Sequence, residues 1–277
     1  MLFLRIMKFS VFLLLVALHP VALLAQQTSE NESHSADVNL VEANPGRPTV
    51  STPATLSPPG YLQIETGVLG AEKSGEFSNR TGIETVLKLA LTRRIELVAQ
   101  TEPMVFSDLG QSTDREPGEV FAGIQMVLHK GEGSQPTLSV GYFRRLYASP
   151  APELDIGTNR QSMLLLASFD FGKFHVDANA IATEQITDKA AVHRAQFGQT
   201  FSVSHPLARH FGISGEVWSF SQPLLVGSHA VGILLAPTYT VNRFLVLDGG
   251  FNRGLTGTST RWEGFMGLTY LLPKRLW

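Results

Sequence analysis

The sequence predicts an all-β protein, an antiparallel up-and-down transmembrane barrel of about twelve strands. Polar and apolar residues alternate along most of the chain after Gly60, and helical periodicity is absent there. The alternating runs have roughly nine to eleven residues, the length that a tilted strand needs to cross a bilayer. Short and long connections also alternate between the runs, as in outer-membrane barrels. The alternative is a soluble β protein such as a sandwich, whose strands tend to be shorter.

The composition fits this fold class and excludes several functions. Of the 277 residues 43% are hydrophobic and only 17% are charged, below the roughly 25% typical of soluble domains. The formal net charge of -2 gives no electrostatic reason to expect a nucleic-acid partner. The absence of cysteine excludes disulfides, thiolate metal sites and thiol nucleophiles.

Residues 1–25 are predicted to be a secretory signal peptide. Arg5 and Lys8 precede the apolar run from Val11 to Leu18, which is the charge and hydropathy pattern of such a peptide. A transmembrane anchor is the alternative, but His19 ends the run before it reaches the roughly 20 apolar residues of a spanning helix. We therefore expect an exported protein.

Residues 26–59 are rich in Ser, Glu, Asn, Thr and Pro and contain few large apolar residues. No packed core is expected from this composition. We predict a flexible leader on the periplasmic side, followed by an outer-membrane barrel over residues 60–277. Both ends of the barrel chain would then lie on the periplasmic side with the short turns.

The candidate strands are runs with period-two alternation of polar and apolar residues. They are Tyr61 to Leu69, Ile83 to Leu91, Ile95 to Glu102, Glu119 to His129, Thr137 to Leu146, Ser162 to Phe171, Phe174 to Ala182, Ala195 to Ser204, Phe211 to Phe220, Ala230 to Thr240, Phe244 to Asn252 and Trp262 to Leu272. Along the third run Ile95, Leu97 and Ala99 are predicted to face lipid, and Val98 is an apolar exception on the other face.

The connections between the candidate strands differ in length in a regular way. Short turns are predicted at Thr92 to Arg94, Gly131 to Pro136, Gly172 to Lys173, His205 to His210 and Val241 to Arg243. Longer polar loops are predicted at Gly70 to Asn79, Val105 to Pro117, Tyr147 to Arg160, Thr183 to Arg194, Ser221 to His229 and Arg253 to Thr260. This alternation predicts that one rim of the barrel carries turns and the other carries loops.

Aromatic residues cluster near both ends of the candidate strands, where a membrane barrel has aromatic girdles. Those near the short turns are Tyr61, Phe171, Phe174, Phe211, Phe244 and Tyr270, and those near the long loops are Phe143, Tyr147, Phe220, Phe251 and Trp262.

Polar residues on the predicted inward faces are the candidate site residues, and carboxylates outnumber cations among them. The set is Glu65, Glu84, Lys88, Glu96, Gln100, Glu102, Asp177, Asn179, Glu216, Asp248 and Asn252, joined by Gln63 and Gln125. One interpretation is a polar pore lining that sets the selectivity for cations or polar solutes. The other is a structural network in which these groups pair and fill the lumen.

The sequence gives little support for an enzyme. Ser202-Val-Ser-His205 and Gly227-Ser-His229 supply a nucleophile and a base close in sequence, but neighbouring strand residues point to opposite faces. His175 and Asp177 share a face, yet a metal site needs three or four ligands. We predict a non-enzymatic protein without a metal or cofactor.

The last predicted strand contains Gly267, Tyr270 and Leu272 with the spacing of the signal read by the barrel-assembly machinery, which this segment resembles. Met266 departs from that pattern, which prefers a polar residue there. The expected partners are outer-membrane lipid, this machinery during biogenesis, and a small-molecule solute.

Several short motifs resemble a bacterial outer-membrane family that is catalogued under phenol degradation (meta-pathway) and often labelled transporter. The motifs are Gly46-Arg-Pro-Thr-Val-Ser-Thr-Pro53, Pro59-Gly-Tyr-Leu-Gln-Ile-Glu-Thr-Gly67, Leu91-Thr-Arg-Arg-Ile-Glu-Leu97 and Leu247-Asp-Gly-Gly-Phe-Asn-Arg-Gly-Leu255. The similarity spans residues 46–272, and Thr49 stands where the family would have Asp. The resemblance implies an outer-membrane barrel that takes up aromatic or other small hydrophobic compounds.

Together these observations predict a porin-like passive channel or uptake protein for small solutes in the outer membrane of a Gram-negative-type envelope. The alternative is a non-conducting barrel with a filled or plugged lumen that serves structure or adhesion.

Overall fold

The structure, a computed structural model, describes residues 41–74, 77–108, 113–132, 135–152, 159–187, 192–221 and 229–277. The predicted signal peptide and the part of the predicted leader before residue 41 lie outside these ranges. No helix among the described residues is long and apolar enough to cross a membrane, a finding that concerns helices alone.

Thirteen strands in the described part of the chain form one antiparallel sheet. They are β1 (Leu62–Glu72), β2 (Asn79–Ala90), β3 (Ile95–Asp108), β4 (Thr113–Glu116), β5 (Val120–His129), β6 (Thr137–Tyr147), β7 (Asn159–Phe171), β8 (Phe174–Thr187), β9 (Val192–Pro206), β10 (Phe211–Ser221), β11 (His229–Asn242), β12 (Leu245–Gly254) and β13 (Trp262–Leu271).

The sheet closes into a barrel because β1 pairs with β2 on one side and with β13 on the other. Every other barrel strand pairs with its neighbours in sequence, and the short β4 pairs with the last four residues of β3, Val105 to Asp108. β3 itself continues the barrel by pairing with β5. The predicted up-and-down antiparallel barrel of about twelve strands is therefore confirmed.

Several strands continue into regions predicted to be loops. β8 runs to Thr187 and β9 starts at Val192, and their ladder remains paired from His175 with Ser204 to Thr187 with Val192. Polar residues such as Thr183 ended the predicted strands because the apolar face stops there. The ladder does not stop, since its backbone hydrogen bonds do not depend on side-chain polarity. The rim with the long loops therefore carries extended hairpins.

The two faces of each strand differ as period-two alternation requires. In β3, Leu97 is 43% exposed on the outside, whereas Glu96 is 2% exposed on the inside. Val98 is also buried on the inner face. Both the predicted orientation of this segment and the predicted apolar exception are confirmed.

The β2–β3 ladder contains a bulge at which β3 places Glu102 and Pro103 opposite the single residue Glu84. Proline has no N–H to donate to a ladder, so a bulge accommodates it. Beyond the bulge the inward-facing residues of β3 are odd-numbered instead of even-numbered, and Val105 and Ser107 are buried. Sequence alternation alone had ended this strand at Glu102.

Candidate functional site: a barrel lumen occupied by residues 41–59

Residues 41–59, here called the lumen segment, lie inside the barrel at the rim that carries the short turns. The Ala43 N–H donates to the Arg243 carbonyl at 2.7 Å beside the β11–β12 turn, and the Gly60 N–H donates to the Ala90 carbonyl at 2.9 Å. Ala54, between these points, is 0% exposed. The prediction of a flexible leader is therefore corrected for residues 41–59.

The physical reason for this correction is that polar contacts with the barrel wall, and not an apolar core, hold the lumen segment in place. It contains too few large apolar residues for an independent core, as its composition indicated. Its backbone N–H and C=O groups are instead paired with side chains of the barrel wall, and such pairing is required of polar groups that lose water.

Glu216 of β10 binds the middle of the lumen segment. Its two carboxylate oxygens accept the N–H groups of Val50 and Ser51, each at 2.7 Å, and one also accepts the Ser51 hydroxyl at 2.5 Å. The Ser51 hydroxyl oxygen lies 2.8 Å from that of Thr200 on β9. Hydrogen bonds to a charged group are stronger than neutral ones, so Glu216 is a principal anchor.

The next residues of the segment contact β8, β7 and β6. Asn179 accepts the Thr52 N–H at 2.6 Å and donates its amide to the Thr52 carbonyl at 2.9 Å. Ala54 donates its N–H to the Ser168 hydroxyl at 2.7 Å and accepts from the Ser139 hydroxyl at 2.5 Å. Ser168 in turn donates to Asp177 at 2.5 Å. Asp177 therefore holds the segment through Ser168.

Two further contacts guide the lumen segment across β5 and β3 toward the start of β1. The Gln125 amide donates to the Pro53 carbonyl at 2.8 Å. Glu96 accepts the Ser57 N–H at 2.9 Å and also the Ser57 hydroxyl. The segment thus follows the inner wall around the barrel.

At the other end of the segment Glu65 of β1 accepts the N–H groups of Gly46 and Arg47, at 3.0 and 3.2 Å. Lys88 of β2 forms an ion pair with Glu65 at 2.5 Å, and Gln63 donates to the same carboxylate at 2.8 Å. Lys88 compensates the charge that Glu65 would otherwise carry into the lumen.

The Arg47 side chain crosses a row of four residues on neighbouring strands. Across β2, β1, β13 and β12 the paired positions are Glu84, Gly67, Gly267 and Asp248. Arg47 Nη1 lies 2.8 Å from Glu84 Oε2, and Nη2 lies 3.3 Å from Asp248 Oδ1. Motifs that are far apart in the sequence, around residues 46, 65 and 248, meet at this one guanidinium group.

Of the predicted site residues, six contact the lumen segment directly and two act through a neighbour. The direct contacts are Glu65, Glu84, Glu96, Asn179, Glu216 and Asp248, and the indirect ones are Lys88 and Asp177. Eight of the eleven residues therefore take part in the polar contacts that hold the lumen segment.

The other three predicted residues lie elsewhere. Glu102 pairs with Arg80 at 2.6 Å toward the long-loop rim. Gln100 lines a cavity on that side of the lumen segment. Asn252 accepts a hydrogen bond from the Trp218 indole at 2.9 Å.

A cavity of about 310 Å³ lies between the lumen segment and the long loops. Thr52 of the lumen segment is part of its lining. Its ionic residues include Arg80, Glu102 and Glu119, and its apolar residues include Phe121, Phe143, Leu164 and Ile181. The cavity therefore combines an apolar wall with charged groups.

Two of the predicted girdle residues are corrected by the structure, because Phe143 lines this cavity and Phe220 is buried inside the barrel. Trp218 is buried beside Phe220. Other predicted girdle residues, among them Phe171 and Trp262, are exposed on the outside. Position along a strand alone does not fix the face, which depends on parity.

The serine and histidine residues considered as a possible hydrolase site have separate partners in the structure. Ser204 is hydrogen-bonded to Ser214 through hydroxyl oxygens 2.8 Å apart. The His205 ring stacks on Phe174 with a centroid separation of 4.6 Å. His175 lies between Asp170 and Asp177, at 2.7 and 3.3 Å.

Within the described residues no group of three or more His, Cys, Asp or Glu is placed to hold a metal ion. Gly227 and the serine after it, part of the second serine and histidine pair, lie outside the described residues.

Sequence reasoning missed Arg47, Arg80 and the serines that bind the lumen segment. Arg80 could have been found, because it shares the parity of Glu84 in β2 and so faces the lumen. Arg47 belongs to a motif that carried the family resemblance, but nothing local shows which carboxylates it meets.

A comparison with protein-family models and with curated proteins finds no match. Solved structures do match the fold. The NanC porin is 8% identical, covers 75% of this chain and 100% of its own, and has a TM-score of 0.53. The translocator domain of the autotransporter NalP from Neisseria meningitidis is 11% identical over 77% and 89% of the two chains, with a TM-score of 0.44.

The CymD monoaromatic hydrocarbon channel is 7% identical over 76% of this chain and 87% of its own, with a TM-score of 0.45. At these identities the matches concern the fold alone. The fold assignment rests on the NanC porin, which has a TM-score of 0.53. This chain has the barrel fold found in an outer-membrane porin.

Proposed function

We propose that the protein is an outer-membrane channel for small solutes whose passage is closed at the short-turn rim by the lumen segment. One observation carries this proposal: a piece of polypeptide, residues 41–59, lies inside the barrel and is hydrogen-bonded to its wall on several strands. A wall that encloses a peptide backbone encloses a passage of similar width once that backbone moves away.

The number of strands is consistent with such a passage. Eight-stranded barrels are filled by their own side chains, and sixteen-stranded porins leave an open channel. A twelve-stranded barrel lies between them, so the side chains of its wall need not fill the whole interior.

The nature of the contacts supports a removable occupant. The lumen segment is held by hydrogen bonds that its N–H groups donate to Glu65, Glu96, Asn179 and Glu216 and by the ion pairs of Arg47. Water can replace each of these polar contacts, whereas it cannot replace the interlocked apolar side chains of a packed core.

The cavity beyond the segment points to the class of solute. Phe121, Phe143, Leu164 and Ile181 offer an apolar wall, and the Arg80–Glu102 pair offers a donor and an acceptor. A compact molecule with an apolar or aromatic body and one polar group would fit both. This class includes the compounds that the family resemblance implied.

The outer surface supports a location in the outer membrane. Large apolar side chains such as Met163, Leu165 and Phe197 are exposed on the outside of the strands, and aromatic residues lie near the rims. Lipid would cover this surface. The NanC porin shares this barrel fold.

The second candidate is a non-conducting barrel in which the lumen segment is a permanent filling. It is favoured by the spread of the anchors, since the segment contacts side chains of β1, β3, β8 and β10 among others. An arrangement with many anchors opens rarely, even when each anchor is weak.

Planar-bilayer conductance separates the two candidates. Three purified proteins would be compared, beginning at residue 26, residue 41 and residue 60, each verified as folded by its heat-modifiable migration in SDS gels. A plugged channel gives low conductance for the first two and high, steady conductance for the third. A folded third protein that leaves the bilayer sealed would overturn the channel and favour the permanent filling.

A further inference from the structure

We infer that the row Glu84, Gly67, Gly267 and Asp248 is a binding site for guanidinium cations, which Arg47 fills from within the chain and which a small guanidinium compound can fill in its place. The link between this site and channel opening rests on the proposed function, whereas the binding itself does not.

The four residues of the row are joined by strand pairing. Glu84 pairs with Gly67, Gly67 with Gly267, and Gly267 with Asp248, so the four positions lie side by side on neighbouring strands. Inward positions at one level of a barrel wall form a continuous surface. A carboxylate thus lies at each end of a floor made by two glycines.

The two glycines permit a close approach of the Arg47 side chain to the backbone. A Cβ atom at Gly67 would lie 2.6 Å from Arg47 Nη2, and one at Gly267 would lie 2.8 Å from Arg47 Nε. Both distances are too short for any side chain, so the flat guanidinium group rests directly on the backbone of β1 and β13. A rounded ammonium group would contact this floor less well.

The Arg47 guanidinium group has a carboxylate partner at each end of the row. Arg47 Nη1 donates to Glu84 at 2.8 Å, and Nε lies 3.4 Å from each Asp248 oxygen. The Phe265 ring centroid lies 5.9 Å from the Arg47 Cζ atom, within the range of a cation–π contact. The planar fork of donors therefore has a partner on each side.

Removal of the Arg47 side chain would leave the two carboxylates of the row without their cation. Asp248 is almost fully buried, with a side chain that is 2% exposed, and Glu65 nearby is already neutralised by Lys88. Asp248 would then be a buried carboxylate without a cation, which is unfavourable. Glu84, whose side chain is 32% exposed, would add an unpaired negative charge at the other end of the row and repel it. A diffusible cation with the shape of the lost group would relieve this repulsion.

Chemical rescue tests the inference in the full-length protein. Arg47→Ala empties the site, and the midpoint of thermal unfolding is measured with added guanidinium or methylguanidinium chloride at millimolar concentrations. Sodium chloride and ammonium chloride at equal ionic strength serve as controls. Arg47→Gln is the second variant, to be used if Arg47→Ala does not accumulate as a folded barrel.

The expected result is a saturable rise of the midpoint with either guanidinium compound, larger than the rise with sodium or ammonium. The rise should vanish in Arg47→Ala/Glu84→Gln/Asp248→Asn, which keeps the shape of the row and removes its charge. An equal rise with all four salts, or a rise that persists in the uncharged row, overturns the site.

A separate measurement tests the link to opening. Low concentrations of guanidinium should increase the opening frequency of the wild-type protein in bilayers more than sodium does, because the free cation competes with Arg47. If rescue succeeds and no form of the protein conducts, the binding site stands and the channel fails. If the channel conducts and rescue fails, the site fails and the channel stands.

Discussion

The ring of Phe143 occupies the space that a side chain on Gly123 would need. The two residues face each other across the β5–β6 ladder, and a Cβ at Gly123 would lie 2.7 Å from Phe143 Cε1. Phe220 covers Gly198 and Trp218 covers Gly232 in the same way. Large aromatic rings can therefore face the lumen without filling it, because each lies against a bare stretch of backbone.

We expect Gly123→Ala to displace Phe143 from the wall into the cavity. Overpacking of this kind costs about 1–3 kcal/mol of unfolding free energy, and the displaced ring narrows the space available to a solute. Solute permeation through the protein beginning at residue 60, measured in liposomes, should fall while the barrel remains folded.

Gly215→Ala is the matched control, because a Cβ at Gly215 meets no atom within 4 Å. Gly215 precedes the buried, inward-facing Glu216 in β10 and therefore faces outward. If both alanine variants permeate solute equally well, the ring of Phe143 does not limit the passage.

Glu216→Gln should loosen the lumen segment. The substitution replaces one accepting carboxylate oxygen by an amide that cannot accept from Val50 or Ser51. Hydrogen bonds to a charged group contribute about 1.5–3 kcal/mol, so exposure of the segment should rise by roughly tenfold or more.

The chain contains no cysteine, so Ala54→Cys provides a single reporter in the lumen segment, and its rate of labelling by a maleimide measures exposure. Glu119→Gln is the control, since Glu119 pairs with Arg145 at the rim. Equal labelling rates in the Glu216→Gln and Glu119→Gln backgrounds would show that Glu216 is not an anchor.

A disulfide between the lumen segment and the wall should hold the channel shut. The hydroxyl oxygens of Ser51 and Thr200 are 2.8 Å apart, which places the two side chains within reach of a disulfide. In Ser51→Cys/Thr200→Cys, oxidation should abolish opening events in bilayers, and reduction should restore them. Openings that continue unchanged after verified oxidation would mean that solute passes without movement of the segment.

The barrel could be predicted from the sequence because its determinants are local. The predicted strand from Phe211 to Phe220 is observed as Phe211–Ser221, since alternation of side chains and backbone extension are properties of adjacent residues. The same alternation predicts that Phe220 faces inward, because it lies four positions after the inward-facing Glu216. Assigning it to a girdle by its position along the strand overrode that signal.

The occupied lumen could not be predicted because its contacts are non-local. Ser51 and Glu216 are 165 positions apart, and neither residue differs in type from an exposed serine or a pore-lining glutamate. Composition correctly indicated that the segment has no core of its own. It could not indicate that the wall of the barrel supplies polar partners for its backbone.

Insertion into a bilayer predicts unequal effects for two equally exposed leucines. Leu165 is 60% exposed at the centre of β7, and Leu207 is 63% exposed in the turn between β9 and β10. In water, arginine at either position would have little effect on stability. In a membrane, arginine at the midplane costs about 2–4 kcal/mol and near the interface about 0–1 kcal/mol.

Leu165→Arg should therefore lower the denaturant midpoint of the protein folded in lipid vesicles, and Leu207→Arg should leave it nearly unchanged. Equal midpoints for the two variants would place Leu165 outside the hydrocarbon layer, because no difference in exposure separates the two positions.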